Sequence, residues 1–321
     1  MKKRIFFGII VSVFFLFLVL RNINIKNTLE RITHGIYWWL FPVVVSYTLA
    51  FLFRAVRWKY LLLPIKKFHW RQLFSSLVMG FAANCVFPFR FGELVRAYIV
   101  GKKHCIPKSS SLATIVLERI VDGVAVLILL GFAVPFLPVF PEWAKQAIFI
   151  AIILFIGALI AFTILIIKKQ SMDWLKKIPL LKVELKEKLV ENIKTFIVGF
   201  EVIKDRKNFF MVIVFSVCVW IFETFNMFFL VKIVGINLPF AAIIFILFAT
   251  ILGITIPAAP GSIGTFEAAF VVGLMFFKIP KESAVASALI THFVGIAYVM
   301  ILGTYFFFRE GVSYKEISKT E

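Results

Sequence analysis

The stretch IPAAPGSIGTFEAAF, residues 256–270, sets two prolines, two glycines, a serine, a threonine and a glutamate between runs that are almost wholly apolar. Backbone outside the helical hydrogen-bond pattern is tolerated at membrane depth only where protein or water surrounds it, because an unsatisfied amide in hydrocarbon is costly. Pro257 and Pro260 are expected to stop one half-helix. Gly261 and Gly264 allow a turn, and Ser262 or Thr265 can cap the next half-helix, which carries Glu267. The amides at that half-helix start, reinforced by its dipole, form a natural site for an anion such as a lipid phosphate.

The rest of the chain supplies the membrane context. Of 321 residues, 61% are hydrophobic and 40 are phenylalanine, with a mean hydropathy of +0.98, which is more apolar surface than one soluble core hides. Apolar runs recur at 5–20, 38–53, 73–89, 110–134, 144–167, 209–231, 239–256, 266–277 and 283–308, close to the ~20 residues that cross a bilayer. The expected architecture is one all-α polytopic membrane domain over 1–321, with no soluble stretch long enough to fold alone. Met1-Lys2-Lys3-Arg4 ahead of the run 5–20 resembles a signal peptide, but no small-residue cleavage site precedes Arg21-Asn22, so this reads as an uncleaved first helix. Cys85, Cys105 and Cys218 lack metal-ligand spacing and imply neither a disulfide framework nor a zinc site. The net charge of +19 clusters at the ends of apolar runs, which points to lipid headgroups rather than nucleic acid.

Charge also orders the spans. Residues 54–72 carry six Lys/Arg and no acid, and residues 168–208 carry eleven Lys/Arg against six acids, so both are expected on the cytoplasmic side. If 73–89 crossed fully, the second of these stretches would be external. The conflict disappears if 73–89 enters from the cytoplasm and turns back, leaving Arg90 to Lys108 inside. By the same reasoning 239–256 and 266–277 form a second re-entrant pair from the outside. About six full transmembrane helices and two re-entrant hairpins result, with both termini cytoplasmic in the plasma membrane and an oligomer left open. Within 173–200, Leu181, Leu185, Leu189, Ile193 and Phe196 recur at helical spacing opposite lysines and glutamates, as in a helix lying on the inner membrane surface.

The break at 256–270 has a counterpart. Residues 88–97 read PFRFGELVRA and 260–269 read PGSIGTFEAA: both have proline first, glycine fifth, a large apolar residue seventh and alanine tenth. On re-entrant segments from opposite faces, this is the pattern of an inverted-topology repeat. In the first copy Pro88 and Gly92 are the hinge positions, and Arg90 and Arg96 add guanidinium groups suited to bidentate phosphate contact. The run SSSLATIVLERIVDGVAVLILLGF places Glu118, Arg119 and Asp122 inside a membrane helix, with Ser110, Thr114, Glu118 and Asp122 on one face and Arg119 able to pair with Asp122. This cluster can clamp the helix to the segment bearing Arg90, Glu93 and Arg96, or contact a substrate. Glu223, Asn226, Thr291 and His292 are further intramembrane polar groups; a lone histidine there is simply read as a hydrogen-bonded packing residue, and His292 is kept as a candidate site.

The ordered set PxRxGExxR at 88–96, ERIVD at 118–122 and PxxPGxxGxxE at 257–267 resembles the flippase-like family that includes the transmembrane domain of lysylphosphatidylglycerol synthase, also called multiple peptide resistance factor. The resemblance implies an integral membrane protein that moves a lipid between leaflets. Its motif positions are Pro88, Arg90, Gly92, Glu93, Arg96, Glu118, Arg119, Asp122, Pro257, Pro260, Gly261, Gly264 and Glu267. No aminoacyl-transferring domain follows in this sequence, so lysyl transfer is not implied, and no cofactor is called for. There is no GxxxxGK[ST] loop to make ATP the chain's own energy source, while Glu118, Asp122, Glu223, Glu267 and His292 would permit proton coupling. Two other readings stand beside the lipid mover: an intramembrane protease using Ser262 and His292, and a membrane scaffold without transport.

Overall fold

The computed structural model describes residues 2–87, 91–137, positions 142, 143, 145, 146, 148–150, 152–154, 156 and 157, and residues 195–311. Pro88 and Arg90, the later part of the span expected at 144–167, and the surface helix expected at 173–200 up to residue 194 lie outside the described residues. Regular structure among the described residues is helical throughout. Helix α1 (Lys2–Leu20) turns by 90° into the short α2 (Ile25–Thr33). There follow α3 (Leu40–Leu62), α4 (Trp70–Val86), α5 (Gly92–His104), α6 (Lys108–Ala133), α7 (Arg206–Ile233), α8 (Phe240–Gly253), α9 (Thr265–Phe276) and α10 (Lys281–Glu310).

Among the described residues, three helical stretches are long and apolar enough to cross a bilayer, Tyr37–Leu62, Arg206–Ile233 and Lys281–Glu310, and the bent α1–α2 pair makes up to four. Helix α6 has 26 residues, a length of about 39 Å at 1.5 Å per residue, but carries Glu118, Arg119 and Asp122 in its middle. Helices α8 and α9 are short.

Two sequence expectations change. The span expected at 38–53 continues to Leu62 and ends before Pro64, so Arg54 and Arg57, expected in a cytoplasmic basic stretch, are buried inside α3. They are tolerated there because acids on α6 and α7 face them. Residues 92–104, expected as part of an inner loop, form α5, which folds back along α4. Glu93 and Arg96 therefore sit on the first turns of the returning helix.

The α4–α5 and α8–α9 pairs are helical hairpins built on very close backbone approach. A Cβ on Gly92 would lie 1.9 Å from the Gly80 carbonyl oxygen, and the Gly92 N–H donates to Asn84 Oδ1 at 2.7 Å. In the other hairpin, Gly253 packs on Ala269 and the Thr265 carbonyl. Helix α3 packs on α7, α4 on α10, α6 on α8, and α1 on α9. Apolar layers fill the spaces between: Trp58, Leu61, Leu73, Leu77, Ile115 and Leu117 on one side, and Leu230, Ile243, Ile246, Phe270, Leu274 and Val285 on the other. The turn Pro260–Ser262 packs on α4, with Gly261 beside the Cys85 carbonyl, so the broken end of the second hairpin meets the end of the first. Phe132, Phe293 and Phe308 point outward and are at least 72% exposed, as suits an apolar surround.

Candidate functional site

Charge is concentrated where α3, α5, α6 and α7 converge. The Glu118 carboxylate, fully buried on α6, faces three guanidinium groups. Arg96 binds it in bidentate fashion, Nη1 donating to Oε1 at 3.0 Å and Nη2 to Oε2 at 2.8 Å. Arg57 Nη2 lies 3.1 Å from Oε1, and Arg119 Nη2 also donates to Oε1 at 3.1 Å. Asp122, one turn along the same face, accepts from Arg57 Nη1 and from Trp220 Nε1 at 2.9 Å, and lies 3.5 Å from Arg119 Nη1. Arg57 Nη1 also donates to Ser216 Oγ at 2.9 Å. The Arg96 guanidinium stacks 3.6 Å above the Trp58 ring, whose Nε1 donates to Thr114 Oγ1.

The face containing Ser110, Thr114, Glu118 and Asp122 is buried as its four-residue spacing requires. Among the described residues, three arginines (57, 96, 119) meet three acids (Glu93, Glu118, Asp122), so their charges balance. Its rim is open: the side chains of Arg119 and Glu93, 3.2 Å apart, are 33% and 27% exposed. A further pair, Arg54–Glu223 at 2.5 Å, lies one turn away on α3, with the Arg54 guanidinium over the Phe51 and Phe81 rings and Asn226 Nδ2 donating to Glu223 at 3.5 Å.

The second group surrounds the broken hairpin. Gly261 (φ 71°), Ser262 (φ 58°) and Gly264 (φ 92°) hold the turn in the left-handed region, where glycine carries no Cβ penalty. Gly264 occupies the cap position of α9, and its N–H donates to Glu267 Oε2 at 2.6 Å. Thr265 Oγ1 donates to the Ser262 carbonyl instead of capping. The chain's own carboxylate thus occupies part of the helix start that was expected to receive an anion. His292 on α10 reaches both sides of the turn: Nδ1 lies 2.5 Å from Glu267 Oε1 and Nε2 lies 2.9 Å from the Gly261 carbonyl oxygen. Helix α1 closes the other side, where Ser12 Oγ accepts from the Ala259 N–H at 2.8 Å and Gly8 packs against the Ala258 carbonyl.

Of the candidate residues, Glu93, Arg96, Glu118, Arg119 and Asp122 come together in one cluster, and Glu267 and His292 form a second with Gly261 and Gly264. Pro257 precedes the turn and Pro260 opens it. Ser262 lies in the same turn, but both ring nitrogens of His292 are directed at Glu267 and the Gly261 carbonyl, so the serine–histidine pair of a protease is not formed. Sequence reasoning missed Arg54 and Arg57, although the apolar pattern running on to Leu63 and stopping at Pro64 marked a longer helix. Three acids at 118, 122 and 223, with Arg119 the one base read beside them, also required bases on neighbouring helices.

Long apolar helices, paired short hairpins and buried ion pairs define a helical integral membrane protein. Residues 5–303 match the lysylphosphatidylglycerol synthase TM region, and the chain belongs to that family. It is 21% identical over 309 residues to UPF0104 membrane protein MJ1595 of Methanocaldococcus jannaschii, covering 92% of this chain and 91% of that one. It is 26% identical over 231 residues to UPF0104 membrane protein MJ1078 of the same organism, covering 70% and 92%. A shorter match, 31% identical over 98 residues, covers 28% of this chain and 15% of glycosyltransferase AglD of Haloferax volcanii. No solved structure matches the chain.

Proposed function

We propose that this chain is a multi-pass plasma-membrane protein that moves a phosphate-bearing phospholipid or glycolipid between leaflets without ATP, the headgroup passing between the two hairpins. The observation that carries this reading is the meeting of the two hairpin ends, Gly261 against Cys85, inside a bundle with buried charge on either side. The helix order supports an inverted repeat: α3, α4/α5, α6 and α7, α8/α9, α10 each run long helix, hairpin, long helix. Exchanging the two halves maps the α4–α10 packing onto α8–α6 and leaves α3–α7 unchanged. Lys59, Lys66, Lys67 and Arg71, which follow α3's buried arginines, keep that end of the bundle basic and favour the cytoplasmic placement of both termini.

Within this reading Arg119 and Glu93, partly exposed at the rim, contact the headgroup, and Arg90, outside the described residues, is a further candidate from sequence, whereas Arg57, Arg96, Glu118 and Asp122 hold α3, α5 and α6 together. Glu267, His292 and Ser262 line the opposite break. The test is exchange of fluorescent lipids between leaflets of proteoliposomes, with a panel of anionic, zwitterionic and glycosylated headgroups. Exchange above protein-free vesicles that falls in Arg119→Gln supports the reading. Equal exchange with and without protein, for every headgroup, removes it. The paired charges favour a second reading, a membrane scaffold, in which Glu118→Gln changes stability and no variant changes lipid exchange.

A further inference from the structure

The contacts of His292 fix a proton count. The Gly261 carbonyl oxygen only accepts, so Nε2 must carry a hydrogen to hold its 2.9 Å contact. On the other side Nδ1 lies 2.5 Å from Glu267 Oε1, where two facing lone pairs would repel. One proton must therefore lie between them, whether bonded to nitrogen or to oxygen, and the pair carries one proton more than a free carboxylate and a neutral imidazole. The same two side chains span the break: Nε2 holds the carbonyl of Gly261 and Oε2 holds the amide of Gly264. The Phe266 ring stacks on the imidazole, centroids 4.3 Å apart.

We propose that Glu267 and His292 form a binding site for one exchangeable proton, and that this proton latches the second hairpin to α10. When it leaves, the neutral imidazole has a single N–H for two acceptors, so either the Nδ1 contact with Glu267 or the Nε2 contact with the Gly261 carbonyl is lost, and one side of the turn at 260–264 is freed from α10. That proton movement drives lipid movement rests on the function proposed above; the latch itself does not.

Ionisable groups among the described residues face the pair from several elements. Helix α4 brings Cys85, whose Sγ–H donates to the Phe81 carbonyl. Helix α3 brings Tyr47 against Gly295, one turn along α10, where Tyr298 is hydrogen-bonded to Thr48. Helix α7 offers Glu223, held by Arg54. The residues of α8, and of α1 from Gly8 to Leu20, include no ionisable side chain, and α9 has Glu267 alone. Helix α2 presents Glu30, Arg31 and His34 near Glu282, at the start of α10.

The test places a spin label at Ile263→Cys, in the turn, in protein carrying Cys85→Ala, Cys105→Ser and Cys218→Ala, reconstituted in phosphatidylcholine and phosphatidylglycerol vesicles. Label mobility is read from about pH 5 to about pH 9, a window that spans histidine titration. The parent is expected to shift from immobile to mobile as pH rises. Glu267→Gln, whose carboxamide donates to the Nδ1 of a neutral His292 while its oxygen accepts from Gly264, is expected to stay immobile at the alkaline end, where the parent is mobile, and His292→Ala to be mobile throughout. A parent spectrum that ignores pH, or Glu267→Gln titrating like the parent, overturns the proposal. If His292→Ala fails to fold, Glu267→Gln decides. Leaflet exchange of fluorescent phosphatidylglycerol in the same vesicles separates the two claims: titrating label without exchange keeps the latch and removes lipid movement, whereas exchange with an unresponsive label does the reverse.

Discussion

Replacing Glu118 by glutamine tests whether the buried charges hold the bundle together. The carboxylate and its Arg57 partner are fully buried, Arg96 is 2% exposed, and all three arginine contacts to Glu118 are 3.1 Å or shorter. Removing one partner of a buried ion pair costs about 3–5 kcal/mol, because an uncompensated charge stays behind. Here the change leaves three guanidinium groups with Asp122 and Glu93 alone, a net charge of +1 in a site walled by Trp58 and Trp220, so the upper part of that range is expected. Arg96→Met should cost less, since Glu118 keeps Arg57 and Arg119. Arg119→Gln should cost about 1 kcal/mol or less, as its side chain is a third exposed and its pairs are screened. Reversible unfolding in mixed micelles, followed by tryptophan fluorescence, measures the series. A loss of about 3 kcal/mol is roughly two orders of magnitude in the folding equilibrium. If Glu118→Gln lies within about 1 kcal/mol of the parent, or Arg119→Gln loses as much as Glu118→Gln, the clamp assigned to this cluster is wrong.

Other outcomes follow from single contacts. Gly92→Ala should splay the first hairpin, because its new Cβ meets a backbone oxygen that cannot move aside; a loss of about 3 kcal/mol or more is expected. Gly123→Ala, where a Cβ meets nothing within 4 Å, should be neutral or stabilising by up to about 1 kcal/mol in the same unfolding assay. Ser12→Ala leaves the Ala259 amide without its acceptor and should cost about 1–3 kcal/mol; hydrogen exchange at Ala259 unchanged by the substitution would count against that bond. Arg119→Gln should lower lipid exchange several-fold with little change in unfolding, and equal exchange in the two proteins would take Arg119 out of the pathway.

The breaks were legible in sequence because proline and glycine act locally. Pro257 and Pro260 cannot continue a helix, and Gly261 and Gly264 adopt the positive φ that the turn demands. The four-residue spacing of Ser110, Thr114, Glu118 and Asp122 likewise announced a buried face. What stayed hidden depended on partners distant in the chain. Arg54 and Arg57 read as cytoplasmic anchors until Glu223, Glu118 and Asp122, 61 to 169 residues away, were placed opposite them. Helix α5 was missed because its mixture of Arg96, Lys102, Lys103 and His104 with apolar residues resembles an interfacial loop, and only its fit against Gly80 makes it the second arm of a hairpin. Ser12 gave no signal at all, since a serine in a first apolar helix has no distinguishing spacing.

The contact between Ser12 and Ala259 also bears on how such a chain is made. Its two ends are 247 residues apart, so α1 enters the bilayer long before the backbone it must satisfy has been synthesised. Until the ribosome has delivered residues 258–264, the notch formed by Gly8 and Ser12 lacks its partner; afterwards the Ala259 amide of the new turn finds its acceptor on α1. Docking of α1 therefore waits for the second hairpin, and a nascent chain stalled before residue 258 should leave α1 undocked and open to early degradation.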